Sequence, residues 1–143
     1  MRSVWDKDGR TYRQQAPLSL VVSAFSPVDN VRHTLTPDFK RPRSALLLVD
    51  LSSGRNRLGA SALAQSLSQV GDSVPDFPET GDFLAFFSTM QSLVADGLLL
   101  SYHDRSDGGI AVTLAEMAIT GGRGFDATLP DGDVLSVLFN EEP

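Results

Sequence analysis

The chain has 143 residues, enough for one ordinary domain with a core of its own, and 41% of them are hydrophobic against 21% charged. A formal net charge of -6 argues against a large nucleic-acid footprint, which needs clustered excess Lys and Arg, and the absence of Cys excludes disulfides, thiolate zinc sites and cysteine nucleophiles. No apolar run is long enough to span a membrane, and the polar start from Met1 to Gln15 lacks a signal-peptide segment, which predicts a cytoplasmic protein.

Residues 1–16 are charged and aperiodic and read as a loop or connecting arm. Leu18 to Phe25 is β-branched and apolar, with Pro17 at its start, and predicts a first strand. Ser26-Pro27-Val28-Asp29-Asn30 is a turn, and Val31 to Thr36 is expected to extend the sheet until Pro37 interrupts it. His33 has nothing acidic at helical or metal spacing, so it reads as a structural or surface histidine. The basic cluster Lys40-Arg41-Pro42-Arg43 reads as a solvated turn. Ala45 to Leu51 predicts a second strand. Gly54 and Gly59 stand five apart before a helical pattern, but a phosphate loop needs Lys after the second glycine, where this chain has Ala60. Gly59 and Ser61 therefore read as a loop and helix start. From Ala60 to Val70, Leu63, Leu67 and Val70 form one apolar helical face, which Gly71 ends.

Asp72 to Gly81 reads as a loop, and Asp82 as the N-cap of a helix that Gly97 stops. Its stripe of Phe83, Phe86, Phe87, Met90, Leu93 and Val94 is expected to pack on the sheet. Leu98-Leu99-Leu100 predicts a buried strand. Ile110 to Ile119 predicts a helix held by Ile110, Leu114, Met117 and Ala118, with Glu116 facing out or toward a neighbour. Gly121-Gly122-Arg123-Gly124 is a break, Phe125 to Leu129 a short strand, and Asp131 or Asp133 caps a last helix over Val134 to Phe139. The order predicts a mixed β-sheet packed with helices, α/β or α+β in class, without internal repeats.

Chemistry concentrates in Tyr102-His103-Asp104-Arg105-Ser106-Asp107-Gly108-Gly109, between the apolar run at 98–100 and the helix at 110. Adjacent glycines permit close backbone approach, and the first amides of a helix favour an anion. Two carboxylates would repel a bare phosphate. That conflict disappears if Mg²⁺, which is held by one or two carboxylates while keeping phosphate and water oxygens, sits between them. Asp104 is then the metal ligand and Ser106 a hydroxyl donor to phosphate, with Asp107 a candidate helix cap. The same residue types fit an ordinary turn and cap equally well.

Several stretches together carry a family resemblance: Pro17 to Phe25, Asp29 with Val31 to Pro37, Leu58-Gly59-Ala60-Ser61-Ala62-Leu63-Ala64-Gln65, the turn at 102–109 with Leu114-Ala115-Glu116-Met117-Ala118, and Leu138-Phe139-Asn140-Glu141-Glu142. In this order they closely resemble the large, single-chain form of phosphoribosylformylglycinamidine synthase. This is the ATP- and glutamine-dependent ligase that makes formylglycinamidine ribonucleotide from formylglycinamide ribonucleotide in purine biosynthesis. The resemblance implies that residues 17–143 are a carboxy-terminal half-domain like that of aminoimidazole ribonucleotide (AIR) synthetase, the second of two in the parent chain, and that its final strand is missing.

The resemblance further implies Mg²⁺ and ATP or ADP as ligands, with Asp104 on the metal and Ser106, Gly108, Gly109 and His103 beside the nucleotide. The nucleotide at this repeat is expected to support the fold and not to turn over, so none of these residues is assigned to catalysis. The implied partners are the rest of the parent chain, namely a preceding nucleotide half-domain with the remaining metal ligands and a separate Cys-containing glutaminase domain. No nucleic acid or membrane partner is implied. The isolated piece is expected to be inactive and, with a sheet edge exposed, to self-associate or be marginally stable. A stand-alone nucleotide-binding or interaction module with the same fold is the alternative. Selenophosphate synthetase and thiamine-phosphate kinase share only the glycine turn.

Overall fold

In the computed structural model, which describes residues 2–15, 20–28 and 30–143, the first element is decided by Asp8-Gly9. Both have positive φ, 53° and 72°, as a two-residue hairpin turn requires. On either side Arg2–Lys7 (β1) and Arg10–Gln15 (β2) pair antiparallel, with Lys7 opposite Arg10. Trp5 lies opposite Tyr12 with the rings stacked 5.6 Å apart, and the Thr11 hydroxyl donates to Asp6 at 2.5 Å. A hairpin thus replaces the expected loop. Cross-strand pairing holds it, because every residue of β1 is exposed.

Val31–His33 forms one 3-10 turn, not a sheet extension, because the Asn30 side chain accepts from the Arg32 amide at 3.0 Å and turns the chain. His33 is exposed there, and the basic cluster is an exposed turn. Ala62–Ser66 (α1) begins at Ser61, whose hydroxyl accepts from the Ala64 amide at 3.2 Å, as a cap should. It is shorter than the spacing of Leu63, Leu67 and Val70 suggests. Ser68 adopts φ 58° and ends it before Gly71, which leaves Leu67 and Val70 exposed. Thr80–Ala95 (α2) starts one turn early at Glu79, so Asp82 lies inside the first turn and favours the helix dipole without capping it.

The aromatic stripe of α2 is only partly covered. Phe83 and Phe87 are exposed, while Phe86, Met90 and Leu93 face Val49, Leu51 and Ser53 across an open cleft of about 430 Å³. The core lies further on, where Gly109–Gly121 (α3) packs against Val134–Phe139 (α4) and buries Ile110, Leu114, Met117 and Val137. Asp133 caps α4 by accepting from the Ser136 amide at 2.9 Å. Residues 36–39 cross the end of α3: the Phe39 amide donates to the Met117 carbonyl at 3.2 Å, so close that Gly121 has no room for a Cβ.

The fold is mixed α/β in the coarse sense, with a two-stranded antiparallel sheet and four α-helices among the described residues. The larger sheet is not formed among the described residues. Residues 20–25, 45–51, 98–100 and 125–129 carry no strand ladder there; Pro17, Leu18, Ser19 and Asp29 lie outside the described residues. A strand is a property of a pair, and apolar β-branched composition does not supply the partner. Leu20, Val21, Val22, Phe25 and Leu47 are consequently at least 77% exposed. The chain exposes 11257 Å² in all, whereas a compact chain of 15.4 kDa exposes roughly 7,200 Å².

Candidate functional site

The 102–109 turn is pinned from inside by the chain's own carboxy-terminal residues. Arg105 donates from Nε to the Glu142 carbonyl at 2.7 Å, and from its second guanidinium nitrogen to Asp50 at 3.0 Å and the Pro143 carbonyl at 3.3 Å. Its side chain is only 9% exposed. The Gly108 amide donates to Oε1 of Glu141 at 2.9 Å, and the Gly109 amide to the Ser106 carbonyl at 2.9 Å. Gly109 has φ 62°, and a Cβ there would stand 2.6 Å from the carbonyl oxygens of Leu138 and Asn140. The close approach that the glycines permit in this structure is to the chain itself.

Asp107 does not cap α3. Gly108, in the left-handed region with φ 85°, occupies the cap position and has no side chain with which to cap the helix. His103 bridges two elements, with Nδ1 2.7 Å from the Asp104 carbonyl and Nε2 2.8 Å from Oε2 of Glu116 on α3. Thr113 donates to the same Asp104 carbonyl at 3.2 Å and to that of Gly109 at 3.1 Å. The Asp104 backbone is thereby clamped from two sides. Its carboxylate is 70% exposed, with His103 Nδ1 as nearest charge partner at 3.5 Å, too long for a good hydrogen bond. Burial first, and then the Asp104 charge, push the Tyr102 phenol above its ordinary value.

The five residues singled out from the sequence therefore lie in one turn but in two settings. Asp104 and Ser106 are exposed, whereas Gly108 and Gly109 are buried with their amides engaged within the chain, and His103 is half-buried and tied to Glu116. The residues that hold the turn were not foreseen: Glu141, Glu142, Arg57, Arg105 and Asp50. Glu142 is fully buried, and its carboxylate accepts from Arg57 at 2.6 Å (Nε), 2.7 Å (guanidinium) and 3.0 Å (backbone amide). Burial would push Glu142 up, but these bonds outweigh it and hold the carboxyl below its ordinary value. Asp50 behaves alike: burial raises it, while donors from Ser52, Arg105 and Gly54 bring it lower. The only advance signal was the run Asn140-Glu141-Glu142 itself, two carboxylates after a helix.

A metal can be held here only in part by this chain. Among the described residues no three His, Asp or Glu side chains converge as a metal cage. Asp104 fits the lesser demand of Mg²⁺, for which one exposed carboxylate suffices if water and phosphate oxygens complete the shell. Two clefts among the described residues lie elsewhere, one under α2 and one of about 270 Å³ between Leu58, Leu63, Leu67 and Ser73. What the turn offers on its outer side is an exposed acidic surface, with Asp104, Ser106 and Asp107 all open to solvent.

The family model of the AIR synthase related protein C-terminal domain matches residues 44–141. Domains of this kind occur in ATP-using enzymes, purine-biosynthesis enzymes among them. The matched span takes in well over half of the chain, from the Asp50 anchor through the turn to Glu141, and the chain belongs to the AIR synthase related protein C-terminal domain family.

Proposed function

We propose that this chain forms one wall of a Mg-nucleotide site in a large, single-chain phosphoribosylformylglycinamidine synthase. The observation that carries the reading is Asp104: its carbonyl is clamped by His103 and Thr113 while its carboxylate stays 70% exposed, with His103 Nδ1 at 3.5 Å as its charge partner. A largely exposed carboxylate on a fixed backbone is what a hard cation needs. When bound, Mg²⁺ neutralises the phosphate charge that the acidic turn would otherwise repel. Ser106, exposed beside it, supplies a hydroxyl to the nucleotide. The choice of this ligase within the family rests on resemblance that extends beyond the matched span, over Pro17 to Phe25 and Val31 to Pro37. The other half of the site comes from a preceding half-domain of the parent chain, and ammonia from its glutaminase domain. The nucleotide held at this wall supports the fold without turning over.

The test uses the complete open reading frame that contains these residues. Purified protein is expected to carry ADP and Mg²⁺, to lose the nucleotide on chelation, and to make formylglycinamidine ribonucleotide with ATP and glutamine. Asp104→Asn should lower the bound nucleotide at least tenfold. Nucleotide retained at full level by Asp104→Asn overturns the metal role, and absence of ligase activity in the intact protein overturns the choice of enzyme.

The uncovered apolar runs bear on partners. We propose that residues 20–25 and 45–49 are covered in the parent chain and drive self-association of the isolated piece. Sedimentation velocity should show the apparent mass rising with concentration. A constant monomer with a high melting temperature contradicts this.

A further inference from the structure

The Glu141 carboxylate has an unusual pair of partners. A single oxygen, Oε1, accepts from the Ala62 amide at 2.8 Å and from the Gly108 amide at 2.9 Å. Ala62 is the first residue of α1 and Gly108 the residue before α3, so one oxygen joins the starts of two helices that are 46 positions apart in sequence. Both amides lie at helix starts, where the macrodipole favours a negative charge, and a charge-assisted bond is roughly twice as strong as a neutral one. No Lys, Arg or His bonds this carboxylate among the described residues, so its role is not that of an ion-pair partner.

Its neighbours on either side are anchored independently. The Asn140 side-chain amide donates to the Ser136 carbonyl at 2.6 Å, the Val137 carbonyl at 3.2 Å and Asn56 at 3.1 Å, and Glu142 is held by Arg57. Glu141 is therefore presented by a segment fixed at both ends, and the turn carrying Asp104 and Ser106 is what it holds. We propose that Glu141 is a positioning residue for this turn: it fixes the Gly108 backbone and, through it, the outward presentation of Asp104 and Ser106 to a Mg-nucleotide. The consequence for ligand binding rests on the nucleotide reading above; the mechanical part does not.

The test compares Glu141→Ala and Glu141→Gln in the complete reading frame, by amide hydrogen exchange at Gly108 and Ala62 and by Mg-ADP titration. A Gln carbonyl oxygen can still accept from both amides. Glu141→Ala is expected to speed exchange at both amides at least tenfold and to weaken Mg-ADP about tenfold, while Glu141→Gln keeps both within about threefold. Glu141→Met, of similar bulk but without an acceptor oxygen, should free both amides as Glu141→Ala does, whereas a merely space-filling role would let Met keep them protected. The proposal is overturned if Glu141→Ala leaves both amides protected, if it frees them without changing Mg-ADP affinity, or if Gln fails as badly as Ala. Should Glu141→Ala not fold, Glu141→Met set against Glu141→Gln decides: freed amides in Met with protected amides in Gln support the proposal, and protection in both overturns it. Wild-type protein that binds no Mg-ADP, with the amides freed as expected, sinks the nucleotide reading and leaves the mechanical role of Glu141 supported.

Discussion

Arg57→Met is expected to destabilise the chain far more than Glu142→Gln, although both remove the same ion pair. The asymmetry follows from what each change leaves behind. Arg57 keeps a second carboxylate, Asp76, at 2.9 Å on the surface, so losing Glu142 does not strand its charge. Glu142 is 0% exposed, and its carboxylate has the Arg57 guanidinium and amide as its partners. Removing the guanidinium leaves a buried carboxylate with one backbone donor, and an uncompensated buried charge costs roughly 3–5 kcal/mol. For a chain of this length that corresponds to a fall in melting temperature of about 10 °C or more. Thermal unfolding followed by circular dichroism checks it. Equal losses in the two variants would show that the pair is not buried as described.

The same pair sets an acid limit. The carboxyls of Glu142 and Asp50 are lower in the folded chain than their ordinary values. A depressed carboxyl contributes stability that is fully present above its unfolded value, near pH 4 to 4.5, and is lost as pH falls through the lower folded value. Stability should therefore hold from pH 7 down to about pH 5 and decline below about pH 4. Since the turn is fastened through Arg105 to Asp50 and to the Glu142 carbonyl, it should loosen over the same acid window. Arg57→Met, which no longer holds the Glu142 carboxylate low, should show a shallower decline.

What could be read in advance, and what could not, divides along the range of the interactions. The helix start at Ser61, a cap for α4 at one of Asp131 and Asp133, the span of α4, and the buried Ile110, Leu114 and Met117 on α3 are all local matters of spacing and side-chain chemistry. They were legible. So was the placing of His103, Asp104, Ser106, Gly108 and Gly109 in a single turn. The hairpin was also local, but its Asp8-Gly9 signal was hidden by charged flanks that bury nothing and so show no hydrophobic period. The runs at 20–25 and 45–51 have strand composition, yet no ladder partner for them lies among the described residues. The fastening of the site was beyond local reading altogether. Arg57 and Glu142 are 85 positions apart, and Gly108 and Glu141 are 33 apart, so no spacing rule links them. The close packing at Gly109 was hidden for the same reason: the neighbour that fills the space beside it is residues 138–140.

Gly109→Ala, set against Gly122→Ala, separates backbone preference from close packing. Both glycines are left-handed, with φ 62° and 59°, so an Ala at either pays the same conformational strain of about 1–2 kcal/mol. At Gly122 nothing lies within 4 Å of the added Cβ, and that strain is the whole effect. At Gly109 the Cβ would meet the Leu138 and Asn140 carbonyl oxygens at 2.6 Å, a collision with backbone that no side-chain rotation relieves. Forcing such an overlap adds roughly 1–3 kcal/mol. The urea midpoint of Gly109→Ala should therefore fall about twice as far as that of Gly122→Ala. Displacement of residues 138–140 also carries Glu141 away from the Gly108 amide, so exchange at Gly108 should quicken in the first variant and stay unchanged in the second. Equal midpoints with Gly108 protected in both would mean that the carboxy-terminal segment does not press on the turn, and the fastening of Asp104 and Ser106 would need another explanation.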